Sequence, residues 1–290
     1  MTDPTTPDRP TSAGMYDFYL GGTAHSPADR AAAEKITEMM PEIPDGASAN
    51  RGFLQRAVGR MATDWGIRQF IDIGSGLPTQ RNTHDVVAEA IPDGRVLYVD
   101  LDPVVVARGT EILASAENAT AASGRSASGA RDQAAGPGVA VIQGDVRQPD
   151  AILGHPQARR LIDLSAPVGL LLVAVLHFVP DDDDPWGLVG RYMSRMVSGS
   201  YLALTHSAVG DQTGGEVLNV GTKIYSGTAT PWTDRSRTEI ERLFTGLDIV
   251  PAYPGAAPEL VFIGAWGAED PELADSEGSR LGYAAVARTP

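Results

Sequence analysis

Short apolar runs that close on an acid or a glycine recur along the middle of the chain, and they set the expected architecture. Residues 68–76, Arg-Gln-Phe-Ile-Asp-Ile-Gly-Ser-Gly, hold β-formers in a run too short for a helix, followed by two glycines one residue apart. That pattern predicts a buried strand feeding a tight turn whose backbone can approach a ligand closely. Residues 95–100 repeat it and end at Asp100, and residues 139–142 run into Gln143-Gly144-Asp145-Val146. Residues 167–174 are apolar throughout, as a central strand of a parallel sheet requires, and deliver residues 175–179 to its carboxyl end. Residues 200–206, 247–250 and 282–287 read as three more strands.

Between these runs the period turns helical. Helices are expected over 79–90, 103–113, 149–154 and 185–196, with further candidates over 216–225 and 234–244. Strands and helices alternating at these lengths make right-handed βαβ units. The fold is therefore expected to be α/β, doubly wound and Rossmann-like, with a mostly parallel sheet and helices on both faces. Ahead of the first strand, Ser26-Pro27-Ala28-Asp29 opens an alanine-rich helix to about residue 40. After a break at 41–46, residues 48–64 carry Phe53, Leu54, Ala57, Val58 and Met61 on one stripe. Residues 14–66 are thus expected to form a helical cap, and residues 67–290 the sheet domain. Residues 14–22 place Tyr16, Phe18 and Tyr19 between glycines, which reads either as a docked helix or as a lid with Tyr16 and Tyr19 lining the pocket. Residues 1–13 are expected to be a disordered tail and the small-residue stretch 114–138 a flexible insertion.

In open parallel sheets the ligand lies beyond the carboxyl ends of the strands, so Asp72, Gly74, Ser75, Gly76, Asp100 and Asp145 should converge on one crevice. A dinucleotide fingerprint needs a third glycine where this chain has Thr79 after Pro78. The acid ending the second strand keeps its use, since a carboxylate can accept both hydroxyls of a ribose. A ribose reader without the glycine that packs beneath a pyrophosphate suits a nucleoside cofactor lacking a diphosphate, which is S-adenosylmethionine. Asp145 and the backbone of Val146 would meet adenine, with Thr79, Leu101 and Ala174 completing the site. The alternative is that Asp100 and Asp145 merely cap helices, as Asp102 before Pro103 does.

Composition narrows the partners. The 290 residues carry a net charge of −14, from 23 basic and 37 acidic side chains, so the average surface field repels polyanions and nucleic acid is not an expected partner. With no cysteine there is no disulfide, thiolate metal site or cysteine nucleophile. The best apolar stretch, residues 168–179, is too short to span a bilayer and contains His177, and no leader is visible at the start, so a cytoplasmic location is expected. Asp181-Asp182-Asp183-Asp184 reads as a solvated, helix-capping loop and not as a metal site.

Several stretches together resemble a bacterial family of S-adenosylmethionine-dependent methyltransferases formerly known as a domain of unknown function. They are Met15-Tyr16-Asp17 with Leu20-Gly21-Gly22, Ala28-Asp29-Arg30, Ala49-Asn50-Arg51 with Phe53-Leu54, residues 69–79, Tyr98-Val99-Asp100 with Asp102-Pro103, and Leu176-His177-Phe178-Val179 with Asp183-Asp184-Pro185. The resemblance implies a class I methyltransferase fold of seven strands with the last antiparallel. It does not carry over an acceptor, although relatives of this type act on small molecules in natural-product pathways, including indole rings. The chain departs from the family pattern at Phe18-Tyr19 and in the long segment before the final strand. Methyl transfer to an acceptor is an in-line displacement that needs alignment, dehydration and in some cases a base at a strand's carboxyl end. His177 is the first candidate base and His206 the second, with Tyr16 or Tyr19 assisting through a hydrogen bond and Phe178 lining the acceptor pocket. The expected activity is methylation of an aromatic or indole-type natural-product intermediate, with a homodimer as an option for assembly. A catalytically silent S-adenosylmethionine-binding regulator and a protein methyltransferase are the other readings.

Overall fold

The computed structural model describes residues 9–79, 81–122, 138–208 and 232–290. β1 (Gln69–Ile73), β2 (Arg95–Asp100), β3 (Val139–Gln143), β4 (Gly169–Val173) and β5 (Tyr201–Ser207) lie parallel in the order β3-β2-β1-β4-β5. Beyond β5 come β6 (Asp248–Ile249), β7 (Val261–Phe262) and β8 (Gly282–Arg288). β8 runs antiparallel to β5, from Tyr201 opposite Arg288 to Ser207 opposite Gly282. β6 and β7 pair with successive stretches of its outer edge, Asp248 opposite Arg288 and Val261 opposite Ala284. Seven strands with the last antiparallel were expected; the order and the reversal agree, and the two-residue β7 makes an eighth. The chain works outward from β1 to β3 and then returns beside β1 at β4, so the crossover direction reverses there and a crevice opens at the strand tips.

Strand alternation sends neighbouring residues to opposite faces. Ile71, Ile73, Leu97, Val99, Leu170 and Leu172 join one core, under Ile152, Leu161, Leu188 and Tyr192 from α6 (Pro149–Gly154), α7 (Pro156–Leu161) and α8 (Pro185–Met193). Phe70, Val96, Tyr98, Leu171 and Val173 join the other, under α3 (Ile43–Thr63) and α4 (Thr83–Ala90). A third, smaller core of Met15, Tyr19, Ala33, Ile36 and Ala47 holds α1 (Ser12–Tyr19) and α2 (Pro27–Met39) onto the start of α3. α3 therefore serves both layers, with Ala47 in the cap and Phe53, Ala57 and Met61 on the sheet.

Four boundaries differ from the sequence expectation. α3 starts at Ile43 and not at 48, because Pro44 sits in the first turn, where its missing N–H breaks no helical bond. α4 starts at Thr83 and not at 79; Asn82 is its cap, and Pro78 biases the chain before it towards extended backbone. α5 (Pro103–Ala122) runs into the expected insertion, whose alanine-rich start suits a helix. α1 begins inside the expected tail because Thr11 caps it, accepting from the Gly14 amide at 3.0 Å, while the Thr11 amide donates to Asp29 Oδ1 at 2.6 Å. Residues 123–137 and the helix candidate at 216–225 lie outside the described residues. No helix among the described residues is long and apolar enough to cross a membrane.

Candidate active site

A cavity of about 710 Å³ opens at the tips of β1, β2, β4 and β5 beneath the cap, a size suited to a small ligand. One wall is the glycine bend after β1. Gly74 and Gly76 adopt φ of 71° and 62°, and a Cβ on Gly74 would stand 2.6 Å from Cγ2 of Val175, so both positions call for glycine and leave backbone against the cavity. The amides of Gly74 and Ser75 donate to Val99 O, at 2.8 and 3.2 Å, locking the bend to β2. Asp100 is aimed by two amides, Gly76 N to Oδ2 and Asp102 N to Oδ1, both 3.0 Å, and burial raises its pKa. Asp72 lies deeper, accepts the Thr83 hydroxyl at 2.7 Å, and is pushed by burial up to about 6. Leu101, an apolar side chain left 43% exposed, lines the cavity, as does Val146. Asp145 is there too, but its carboxylate is already gripped by Arg147, with Nη2 to Oδ2 at 2.6 Å, which holds its pKa down. Arg147 reaches onward to Asp183 at 3.2 Å.

The tips of β4 and β5 form the opposite end. Ala174 takes φ 55°, rare for a residue with a Cβ, and its amide donates to Thr205 Oγ1 at 2.9 Å. Thr205 in turn donates to Asn50 Oδ1 at 2.7 Å, Asn50 Nδ2 donates to the Tyr16 hydroxyl at 2.9 Å, and that hydroxyl donates to Ala47 O at 3.1 Å. A buried relay thus fixes the cap to the sheet, and burial raises the Tyr16 pKa. Thr79 makes a second tie: it lines the cavity, but its hydroxyl donates to Asp17 Oδ1 at 2.6 Å. Tyr19 and Phe178 also line the cavity.

His177 follows β4 in a short turn, 5% exposed, with Nδ1 lacking any hydrogen-bond partner among the described residues. Its ring lies 4.2 Å from that of Trp232, 4.4 Å from Phe178 and 5.6 Å from His206. His206 differs: Nδ1 donates to Ser207 O at 2.9 Å and Nε2 accepts from Arg235 Nη1 at 3.0 Å. Both of its ring nitrogens are engaged, so the residue expected as a second base keeps no lone pair for an acceptor's proton. Arg235, buried to 1% of its side chain, also donates to Leu176 O at 2.9 Å, Val179 O at 2.6 Å and Asp181 Oδ1 at 2.7 Å, which pins the turn that carries His177. Within the acidic run, Asp181 thus holds Arg235, Asp183 meets Arg147, and Asp184 caps α8 by accepting from Gly187 N.

Burial lowers the pKa of both histidines, that of His206 to about 4 and that of His177 well below its ordinary value. In the unfolded chain they titrate near 6.5, so between that value and their folded pKa the unfolded state binds more protons. Their neutrality costs nothing above about pH 6.5, and stability is lost as the pH falls towards 4, by roughly 3 kcal/mol for His206. Asp72 works in the opposite sense and offsets part of this. A His206→Gln variant should therefore lose less melting temperature between pH 7 and pH 5 than the parent. Equal losses in a thermal melt would refute the assignment.

A doubly wound sheet with a reversed last strand, a two-glycine bend after β1 and an oriented acid at the end of β2 define an S-adenosylmethionine-dependent methyltransferase. The comparisons agree. A family model described as S-adenosyl methyltransferase matches residues 3–290. The chain is 36% identical to a protein from Thermobifida fusca YX assigned as a methyltransferase, over 99% of this chain and 96% of that one, with a TM-score of 0.80. It is 33% identical to a DUF574 family protein from Streptomyces avermitilis MA-4680, over 98% of each chain, with a TM-score of 0.81. No curated protein matches it. The chain belongs to this S-adenosyl methyltransferase family, and its cofactor is S-adenosylmethionine.

Proposed function

We propose that the acceptor is a neutral aromatic small molecule, of the phenol or indole type met in natural-product assembly, and that His177 takes its proton. The observation that carries this reading is the buried, unpartnered Nδ1 of His177 set among the rings of Trp232 and Phe178. A flat acceptor gains about 0.5–1.5 kcal/mol per ring contact beyond the area it buries. Arg235, which bonds the neighbouring His206, is matched by Asp181, so it offers no spare charge to an ionic acceptor.

When bound, the cofactor supplies a methyl group on a positively charged sulfur. The chain's own residues align the acceptor atom, exclude water and receive a proton. His177 is neutral at working pH because burial, with help from His206 and Arg235, holds its pKa well down. In the tautomer protonated at Nε2, Nδ1 carries the lone pair. A base this weak takes a proton only as it becomes acidic. The acceptor's N–H or O–H would do so as its heavy atom takes the methyl group, and His177 Nδ1 would receive that proton.

His177→Ala is expected to lower turnover on a responsive phenol or indole by about 10²–10⁴, while calorimetry finds S-adenosylhomocysteine affinity within about two-fold of the parent. Unchanged turnover would remove His177 from the chemistry. Tight product binding with no turnover across a broad aromatic panel would overturn the acceptor class.

A further inference from the structure

We propose that Arg51 is the counter-ion for the carboxylate at the amino-acid end of the cofactor, with Asp72 facing the ammonium group of the same zwitterion. The inference rests on the cavity being the cofactor site.

Arg51 lies on α3, one residue beyond the Asn50 of the relay, and lines the cavity with Asp72, Gly74 and Gly76. Its Nη1 donates to Asn82 Oδ1 at 2.6 Å, and its guanidinium carbon stands 5.7 Å from the centre of the Tyr16 ring. These two contacts fix the plane of the group, and no carboxylate forms an ion pair with it among the described residues. Its Nε is buried and has no partner among the described residues. A buried N–H without an acceptor costs free energy that an anionic ligand would restore. The other arginines on the cavity wall offer less: Arg147 is committed to Asp145 and Asp183, and Arg9 is exposed. Asp72, buried to 4% exposure, is near enough for Arg51 to offset part of the effect of burial on its carboxyl. One cation and one anion on the wall beside the glycine bend match an α-amino acid, whose two charges are of opposite sign. The adenosine would then take the end marked by Asp100, Leu101 and Val146.

The test is a calorimetric cycle without acceptor, so that an acceptor's own carboxylate cannot answer for the cofactor's. Parent and Arg51→Gln are titrated with S-adenosylhomocysteine and with 5′-methylthioadenosine, which lacks the amino acid. The variant should bind S-adenosylhomocysteine at least about ten-fold more weakly and methylthioadenosine within about two-fold of the parent. Decarboxylated S-adenosylmethionine gives the ligand-side arm. Losing the carboxylate should weaken binding to the parent relative to S-adenosylmethionine by a similar factor, and to Arg51→Gln hardly at all. Equal weakening of both nucleosides by the substitution, or an equal effect of decarboxylation in parent and variant, would overturn the role of Arg51. This second arm reads the parent even where the variant folds poorly: no effect of decarboxylation on the parent also overturns it. Failure of the parent to bind any of these ligands would instead overturn the cofactor site itself.

Discussion

Arg235→Ala is expected to melt about 10 °C below the parent and to lose most of its turnover. The guanidinium is buried and serves four acceptors, Leu176 O, Val179 O, Asp181 and His206 Nε2. Alanine strands the two carbonyls and the imidazole in a site that water does not reach, and each orphaned group costs about 1–3 kcal/mol. The Asp181 pair itself adds little, since the carboxylate is half exposed. A total near 3–5 kcal/mol is in line with removing one side of a buried polar network. Activity should fall with stability, because the freed turn is the one that presents His177 and Phe178. Arg235→Lys should rescue little of either, as an ammonium cannot reproduce the planar fork. A melting point within about 2 °C of the parent would show that the network does not carry the turn.

Asp72→Asn should give the reverse pairing, a more stable protein that binds its cofactor poorly. In the folded chain burial raises the Asp72 pKa to about 6, whereas unfolded it ionises near its ordinary value. Between roughly pH 4 and 6 the folded state keeps a proton that the unfolded state has lost, so the contribution of Asp72 to stability falls as the pH rises through that window. Above it the penalty is complete, on the order of 1–3 kcal/mol. Asparagine never ionises and can still accept the Thr83 hydroxyl. The variant should therefore melt higher than the parent at pH 8 and close to it at pH 4.5. Meanwhile S-adenosylhomocysteine should bind at least about ten-fold more weakly, because a buried acid kept at such a cost is the natural partner of a cationic ligand group. A variant less stable than the parent at pH 8, or one binding with parental affinity, would defeat this account.

The strands were legible because a buried parallel sheet demands unbroken apolar runs, and residues 68–76 and 167–174 have few other ways to fold. The convergence of Asp72, Gly74, Gly76 and Asp100 on one cavity was legible for a related reason: they sit at strand tips, and strand tips follow from the strands. Helix starts were less so. Pro44 and Pro78 each admit a helix on one side and an extended chain on the other, and packing decided between them. The remaining site residues come from partners far apart in the chain. Thr205 meets Asn50 and Arg235 meets Leu176 across intervals that no local pattern encodes. Arg51 was visible in the Ala49-Asn50-Arg51 stretch that carries part of the family resemblance, yet only the fold shows that its Nε is buried without a partner among the described residues. His206, at the end of its strand, ranked second to His177 on sequence alone; what separates them in the fold is the hydrogen bonding of their ring nitrogens.

The two ends of the cavity have different genealogies. The nucleoside end is drawn from one continuous portion of the chain, the tips of β1 to β3, whereas the ring cluster is assembled from the turn after β4, the tip of β5 and Trp232, roofed by the N-terminal helices. Substitutions in the second set leave the first intact, so, with the acceptor placed as proposed, a change of acceptor would not disturb the methyl-donor end. Chimaeras joined at those seams are the direct way to redirect the enzyme to new products.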